Sequence, residues 1–229
     1  MKILFLNTLN GLLTKPITDF IAAHKDTDIF CLQEAEAEMQ TIADKLLPNY
    51  TKLYSEKYLA DKEYFNQVIY VKNGIEIESS GVLLQGVQKQ GLATYIKTTI
   101  HDQSWYICNV HGHPQPGDKL DTPDRIAQSQ QIIDFFAALP GQKIIGGDFN
   151  LDPTTQSVKV FSQSGYKDLI SDYGITSTRN EVSWVNYPDN KQYFADYVFV
   201  TPGVKVTSYE VPYNEVSDHL PQILVIDTN

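Results

Sequence analysis

Carboxylate side chains recur where predicted β-strands begin or end. The residues are Glu34, Asp148, Asp196 and Asp218, and His219 directly follows the last of them. Carboxylate oxygens are ligands that hard divalent cations such as Mg²⁺ prefer, and a neighbouring histidine can transfer a proton. A divalent cation held in this way polarises a phosphoryl group. These residue types, placed at strand ends, therefore predict metal-assisted hydrolysis of a phosphoester.

The segment Gly-Gly-Asp-Phe-Asn at residues 146–150 is the strongest single signal. Its two glycines allow another backbone or a ligand to approach closely. Asp148 and Asn150 are two positions apart, so both side chains project to the same side of an extended segment. Together they can orient a water nucleophile and donate to a phosphate oxygen. The competing interpretation is an ordinary turn; the Leu-Asp-Pro that follows favours a functional segment.

Two polar residues follow the first two predicted strands. Asn7 ends the first strand, where an ordinary turn is the common interpretation. Glu34 ends the second strand and is either a negative charge near a helix N-terminus or a metal ligand. Because Mg²⁺ takes few carboxylates together with amide oxygens and waters, Asn7 and Glu34 on neighbouring strands would suit it.

Histidine and arginine residues also have two interpretations each. His111 ends a predicted strand and His113 lies two positions later, on the same side, so one is a candidate site residue and the other a rim residue. The alternative for both is a structural histidine. Arg125 lies in the first turn of a predicted helix, where its charge opposes the helix dipole. It forms either a structural ion pair or a contact with a substrate phosphate.

A series of strands and helices must position these side chains. Apolar or alternating runs predict strands at residues 3–6, 29–32, 68–71, 75–84, 92–100, 104–110, 143–147, 182–185, 197–200, 204–211 and 223–226. Helical spacing predicts helices at residues 36–47, 124–139 and 155–164, and Thr14 is predicted to cap an earlier one. This order predicts an α/β fold of two mixed sheets packed face to face, with helices on the outer faces, in one domain over residues 1–229.

The composition limits the function and the cellular context. The 229 residues include 18 Lys and Arg against 28 Asp and Glu, so the net charge is −10. Such a surface excludes passive adhesion to a polyanion, but not a nuclease, because bound divalent cations offset the acidity locally. Cys31 and Cys108 each lie in an apolar run, which favours two buried free thiols over a disulfide. With no apolar stretch of ~18 residues and no secretory signal before the first strand, we expect a cytoplasmic monomer without a membrane span.

The motifs resemble those of the endonuclease/exonuclease/phosphatase superfamily, whose members include deoxyribonucleases, apurinic endonucleases, inositol-polyphosphate 5-phosphatases, neutral sphingomyelinases and deadenylases. The resemblance extends from Asn7 to Pro221. It is carried by Asn7, Leu32-Gln33-Glu34, Asn109-Val110-His111, Gly147-Asp148-Phe149-Asn150, Asp196-Tyr197-Val198-Phe199 and Ser217-Asp218-His219-Leu220-Pro221.

The resemblance implies a four-layered α/β sandwich with the site at one edge of the sheets. It implies Mg²⁺ or Mn²⁺ as cofactor, with Glu34 as the principal ligand and Asn7 and Asp218 nearby. Asp148 would position or deprotonate the attacking water, and Asn150 would bind a phosphate oxygen. His219 would contact the phosphate or act as general acid or base, oriented by Asp196. His111 matches the second histidine of deoxyribonuclease-like members; apurinic endonucleases carry a tyrosine near that position.

The substrate stays open between two classes of phosphoester. A phosphodiester in nucleic acid is the main hypothesis, and aromatic residues 54–70 would stack bases or a sugar unless they are ordinary core and surface tyrosines. The alternative is a small or lipid-derived phosphoester, because positive side chains are scattered rather than clustered. A third hypothesis, a non-catalytic binding protein on the same fold, is disfavoured because every motif residue is present.

Overall fold

Two β-sheets of six strands each form the framework of the fold, and the computed structural model describes residues 1–59, 64–185 and 187–229. The strands of the first sheet are β1 (Lys2–Asn7), β2 (Ile29–Gln33), β3 (Tyr50–Tyr58), β4 (Tyr64–Lys72), β11 (Lys205–Glu210) and β12 (Gln222–Asp227). The strands of the second sheet are β5 (Ser79–Leu83), β6 (Leu92–Ile100), β7 (Gln103–His111), β8 (Gln142–Asp148), β9 (Lys167–Asp168) and β10 (Asp196–Val200).

Both sheets are mixed, as the sequence predicts. Across the first sheet the order is β11-β12-β1-β2-β4-β3, and across the second it is β5-β6-β7-β8-β10-β9. Strand β1 runs parallel to β2, and β7 runs parallel to β8. The other neighbouring pairs are antiparallel. The two parallel pairs bring the carboxyl ends of two strands together in each sheet.

Helices cover the sheets on the sides that face away from each other. They are α1 (Thr14–Ala23), α2 (Ala37–Leu46), α3 (Pro123–Ala137), α4 (Gln156–Gln163) and α5 (Leu169–Asp172). The short helix α6 (Glu181–Trp184) has no buried residue. Ile3 and Phe5 of β1 pack in an apolar cluster shared with the second sheet, whereas Leu4 and Leu6 pack in one shared with α1 and α2. Successive side chains of a strand point to opposite faces, so this alternation separates the layers. The predicted α/β sandwich is confirmed.

Some predicted elements differ from those observed. The strand predicted for residues 182–185 overlaps helix α6, because the Asn180 side chain accepts a hydrogen bond from the Val182 N–H at 3.0 Å and caps the turn. A four-residue apolar run is too short for its periodicity to separate strand from helix. Within predicted residues 75–84, only Ser79–Leu83 is a strand. Leu13, rather than Thr14, occupies the N-cap position of α1.

Strand β3 has no counterpart among the predicted strands. It lies at the edge of the first sheet and pairs only with β4. Its side chains are mostly exposed or half-buried, so charged and aromatic residues alternate along it without an apolar stripe. Such an edge strand is held mainly by backbone hydrogen bonds to its neighbour, and these do not require a hydrophobic pattern in the sequence.

Two smaller expectations concern cysteines and membranes. Cys31 and Cys108 are free and buried, as predicted. Among the described helices, none is both long enough and apolar enough to cross a membrane.

The strand register brings the motif residues to one edge of the sandwich. In the parallel pair of β7 and β8, His111 lies opposite Asp148, and in the antiparallel pair of β8 and β10, Asp148 lies opposite Asp196. Gly147 makes this approach possible: its φ is +128°, and an added Cβ would lie 2.2 Å from the Val110 carbonyl oxygen. A side chain at position 147 would therefore force β7 and β8 apart where they carry the site.

Candidate active site

Three buried side chains form a row at the floor of the candidate site. Both carboxylate oxygens of Asp196 lie 2.9 Å from Nδ1 of His219. On the other side of the ring, Nε2 of His219 lies 3.7 Å from Oδ2 of Asp148. All three residues are at most 3% exposed. The Asp196 carboxylate therefore fixes the imidazole with Nδ1–H as donor, leaving Nε2 directed toward Asp148.

The charges around this row decide which groups are ionised. Burial disfavours the carboxylate form of Asp148, but the positive charges of His219 and Lys119 outweigh burial and lower its pKa to about 2. Burial raises the pKa of Asp196. Burial and the nearby Arg179 oppose protonation of His219, yet the surrounding carboxylates raise its pKa above the usual 6.5. Asp148 is therefore an anion at neutral pH.

A second group of side chains joins the two sheets beside this row. The amide nitrogen of Asn7 donates to Oε1 of Glu34 at 2.9 Å and to Oδ2 of Asp148 at 3.0 Å. Oδ1 of Asn7 accepts from the Leu9 N–H at 3.1 Å, so the amide presents nitrogen rather than oxygen to the carboxylates. Nε2 of His111 lies 3.9 Å from Oε1 of Glu34. Asn7 thus connects the carboxylates in the geometry observed.

Asn150 is more fully engaged than the sequence suggests. Its Oδ1 accepts from the Lys119 ammonium at 2.7 Å, and its Nδ2 donates to the Gly112 carbonyl at 3.1 Å and to Asp148 at 3.3 Å. Its backbone N–H also donates to Oδ1 of Asp148 at 2.8 Å. Both N–H groups of the amide are therefore used, and Lys119 is the group beside Asn150 with donor capacity left.

Backbone strain marks four of the residues that line the site. Asn10, Glu34, Lys119 and Asn150 have φ values of 53°, 50°, 60° and 55°, in the left-handed region that residues other than glycine rarely adopt. Such conformations cost about 1–3 kcal/mol each and are concentrated at functional sites. The side chains of Glu34, Lys119 and Asn150 place a carboxylate, an ammonium and an amide in one pocket.

Two cations, Lys119 and Arg179, reach the site from loops rather than from strand ends. Arg179 donates from Nη2 to Oδ2 of Asp218 at 2.8 Å, and its Nη1 lies 3.0 Å from Nε2 of His219. Because a guanidinium only donates, Nε2 of His219 accepts in this arrangement. Asp218 therefore lies beside the pocket with an arginine partner, a contact that the Asp-His sequence gives no means of predicting.

Arg125 is not brought to the pocket, which corrects its predicted contact with substrate. The residue is 1% exposed. Its guanidinium donates to the carbonyl oxygens of His113, Pro114, Pro116 and Leu120. Its fork of donors is thus used to hold the loop between β7 and α3, and that loop carries Lys119. His113 lies in the same loop; it is buried and does not line the pocket.

Replacing Arg125 with lysine is expected to lower the free energy of unfolding by about 3 kcal/mol, since one ammonium cannot satisfy four carbonyl oxygens placed around a planar fork. Urea denaturation followed by circular dichroism measures the change. Lys97→Arg, at an exposed ion pair with Glu78, is the matched control, with an expected change within about 0.5 kcal/mol. Unchanged stability together with a raised KM would restore the substrate role of Arg125.

The side chains at the pocket fit a divalent cation in two ways. Glu34, Asp148 and Asp218 line the pocket and offer carboxylate oxygens, the donors that Mg²⁺ and Mn²⁺ prefer. Asp148, Asp196 and His219 also hold ligand atoms within 4.8 Å of one another. A cation in that second position would replace the hydrogen bond between His219 and Asp196. Among the described residues, the Glu34 carboxylate accepts from the Asn7 amide at 2.9 Å and lies 3.9 Å from Nε2 of His111.

The pocket above these residues has a volume of about 720 Å³. Aromatic side chains from both parts of the sandwich line it. Tyr64 and Phe65 belong to β4 of the first sheet, whereas Trp184 and Tyr187 lie in the segment that leads to β10 of the second sheet. Asn190 and Gln192 add amide groups from the same segment. The pocket therefore combines ring surfaces and hydrogen-bonding groups around an ionised floor.

Comparisons with known proteins agree with this geometry. No curated protein sequence matches the chain. A solved endonuclease/exonuclease/phosphatase from Bacteroides vulgatus is similar in structure, with a TM-score of 0.77, 20% identity and coverage of 99% of this chain and 98% of that chain. A family member from Leptotrichia buccalis has a TM-score of 0.76 and 21% identity, with coverage of 99% of this chain and 99% of that chain. The mannosyl-6-phosphatase of Bacteroides thetaiotaomicron VPI-5482 has a TM-score of 0.74 and 16% identity, with coverage of 99% of this chain and 99% of that chain.

At these identities the structural likeness shows the fold. The family assignment rests on the sequence model of the endonuclease/exonuclease/phosphatase family, which matches residues 5–219. This range contains every motif residue from Asn7 to His219, so the resemblance found from the motifs is confirmed. The chain therefore belongs to the endonuclease/exonuclease/phosphatase family, a family of phosphoester hydrolases.

Proposed function

We propose that the protein is a divalent-metal-dependent phosphoesterase that hydrolyses a phosphodiester, with single-stranded nucleic acid as its substrate class. The observation that carries the proposal is the buried row of Asp196, His219 and Asp148 beside the carboxylate of Glu34 at the floor of one pocket. An ionised carboxylate and an oriented imidazole within 4 Å of each other are the groups that a hydrolytic proton transfer needs.

Each side chain has a role in the proposed reaction. Asp148, an anion at neutral pH, orients the attacking water and accepts its proton. His219, held by Asp196, contacts the phosphate through Nε2 or transfers a proton there. Glu34 would hold Mg²⁺ or Mn²⁺, with Asp218 nearby and Asn7 holding the Glu34 carboxylate in place. Such a cation, when bound, polarises the phosphoryl group and stabilises the leaving oxygen.

Aromatic side chains favour a single strand over a duplex. Four rings border the pocket. Tyr187 is 67% exposed and Tyr64 and Trp184 are half-buried, whereas Phe65 is buried. Exposed rings stack on unpaired bases at about 1–3 kcal/mol per base. A duplex offers no free base faces and is bound through clusters of Lys and Arg, which a chain of net charge −10 lacks.

A second candidate substrate is a small phosphoester such as a sugar phosphate. The net charge of −10 favours it, because a small substrate needs no extended positive surface. The amides of Asn190 and Gln192 at the pocket would suit hydroxyl groups of a sugar. The structurally similar mannosyl-6-phosphatase adds support at the level of the fold.

A substrate panel tests the proposed function. It contains single-stranded DNA, single-stranded RNA, plasmid duplex DNA, mannose 6-phosphate, 4-nitrophenyl phosphate and bis(4-nitrophenyl) phosphate, each with Mg²⁺ and with excess EDTA. We expect cleavage of single strands at least about tenfold faster than of duplex, and no cleavage in EDTA. Faster hydrolysis of the monoesters would replace the proposed substrate by the second candidate. Full activity in EDTA would refute the metal requirement.

A further inference from the structure

Lys119 is a buried lysine with unused donors. It is 7% exposed, and its ammonium makes one hydrogen bond within the described residues, to Oδ1 of Asn150 at 2.7 Å. Two other buried lysines are better satisfied. Lys143 donates to two carbonyl oxygens, and Lys57 to four, those of Leu84, Val87, Gln90 and Gly91. A buried ammonium normally fills its donors in this way, so Lys119 lacks acceptors that a ligand would supply.

Arg179, like Lys119, has fewer hydrogen-bond partners than a comparable buried cation, which here is Arg125. The guanidinium of Arg125 donates to four carbonyl oxygens and also forms an ion pair with Asp118 at 3.6 Å. That of Arg179 contacts Asp218 and His219. Nε of Arg179 is buried and has no hydrogen-bond partner among the described residues. The side chain is 14% exposed and lines the pocket. Arg179 therefore also keeps donor capacity at the site.

The two cations occupy opposite ends of the contact between Asp148 and His219. Lys119 reaches the Asp148 end through Asn150, and Arg179 contacts the His219 end directly. Among the described residues that line the pocket, these two are its lysine and arginine side chains. In a chain of net charge −10, two cations with spare donors beside the reactive groups mark a position for an anion.

We propose that Lys119 and Arg179 bind the two non-bridging oxygens of the substrate phosphate, Lys119 on the Asp148 side and Arg179 on the His219 side. The proposal rests on the proposed phosphoesterase function and assigns to these cations the phosphate contact predicted for Asn150 and Arg125. Asn150 then acts as a positioning residue, since its amide oxygen holds the Lys119 ammonium at 2.7 Å. The Lys119 side chain is buried rather than directed to solvent.

The alternative is that both cations only neutralise the buried carboxylates. The two roles differ in their effect on a bound anion. A neutralising cation affects stability and kcat, whereas a phosphate-binding cation also determines the KM of the substrate and the affinity for inorganic phosphate. The charge-retaining variants Lys119→Arg and Arg179→Lys keep the neutralisation but move the donors, so they separate the two roles further.

The test compares Lys119→Met, Arg179→Met and the two charge-retaining variants with the wild type. KM and kcat are measured on bis(4-nitrophenyl) phosphate with Mg²⁺, and the Kd of inorganic phosphate is measured by isothermal titration calorimetry in the same buffer. We expect each Met variant to raise both KM and the phosphate Kd about tenfold or more. The KM and phosphate Kd of the charge-retaining variants should lie between those of the wild type and those of the Met variants. Lys143→Met, which removes a satisfied buried lysine away from the pocket, is the control; it should lower stability and leave the phosphate Kd unchanged.

The outcomes separate this proposal from the proposed function. If the wild type hydrolyses phosphoesters but neither Met variant changes KM or phosphate Kd, with circular dichroism showing folded protein, the cation pair is refuted and the phosphoesterase function stands. If the wild type hydrolyses no phosphoester but binds phosphate through Lys119 and Arg179, the function is refuted and the pair stands. Should a Met variant fail to fold, an unchanged phosphate Kd in the charge-retaining variant at that position refutes its role.

Discussion

Replacing Asp148 with asparagine is expected to lower kcat by about 10³-fold or more. The carboxylate is an anion at neutral pH. Its unprotonated oxygens can orient a water molecule and take its proton as that water attacks, which a neutral amide cannot do. The amide nitrogen would also face donors, because Oδ2 of Asp148 now accepts from Asn7 at 3.0 Å and from Asn150 at 3.3 Å. The substitution therefore removes the base and disturbs the contacts that position Glu34. Steady-state kinetics on a phosphodiester with Mg²⁺ measures the loss.

Asp152→Asn is the matched control for this substitution. Asp152 lies four residues further along the same segment and accepts from the Thr154 N–H at 2.9 Å, a bond that an asparagine oxygen retains. We expect its kcat to stay within about twofold of the wild type. Thermal melting of Asp148→Asn shows whether the fold persists. A folded Asp148→Asn variant with kcat near that of the wild type would exclude Asp148 as the group that activates water.

Residues on strands were predictable because strand periodicity and strand ends leave a signal in the sequence. The apolar runs of β1 and β2 predict strands buried on both faces, and Ile3, Leu4, Phe5 and Leu6 are indeed divided between two apolar clusters. The motif residues lie where predicted strands begin or end, so finding the strands also finds Asn7, Glu34, Asp148 and Asp196. The Asp196 and His219 contact could be expected from the resemblance, although 22 residues separate the two along the chain.

Residues on loops were not predictable in this way. Lys119 and Arg179 lie in irregular segments, where neither helical nor strand spacing marks a side chain as inward. Arg179 reaches the site through an isolated backbone bridge with His219, a contact between segments 40 residues apart. Arg125 shows the converse error. Its position in a first helical turn suggested an unusual charge, and only the loop folded around it reveals carbonyl oxygens as its partners.

The pair of Asp196 and His219 is expected to behave as one unit in catalysis. Replacing His219 with glutamine removes the ring that faces Asp148, and we expect kcat to fall by about 10²–10⁴-fold. Asp196→Asn should give a loss in the same range, because an asparagine can donate to Nδ1 and reverse the tautomer of His219. If Asp196 acts only by orienting His219, the double variant loses no more activity than His219→Gln alone. His24→Gln, at the end of α1 away from the pocket, is the control and should keep full activity.

This cycle also decides between the two ways in which the site fits a cation. Asp196, His219 and Asp148 hold ligand atoms within 4.8 Å of one another, so Asp196 and His219 could instead be metal ligands. In that case the losses in the two single variants would multiply in the double variant, and Asp196→Asn would raise the Mg²⁺ concentration needed for half-maximal activity. We expect the reverse, since the hydrogen bonds of 2.9 Å between Asp196 and Nδ1 of His219 already use the groups that a cation would need. Glu34→Gln, measured in the same Mg²⁺ titration, should show the shift that Asp196→Asn does not, because Glu34 is the proposed principal ligand of the cation.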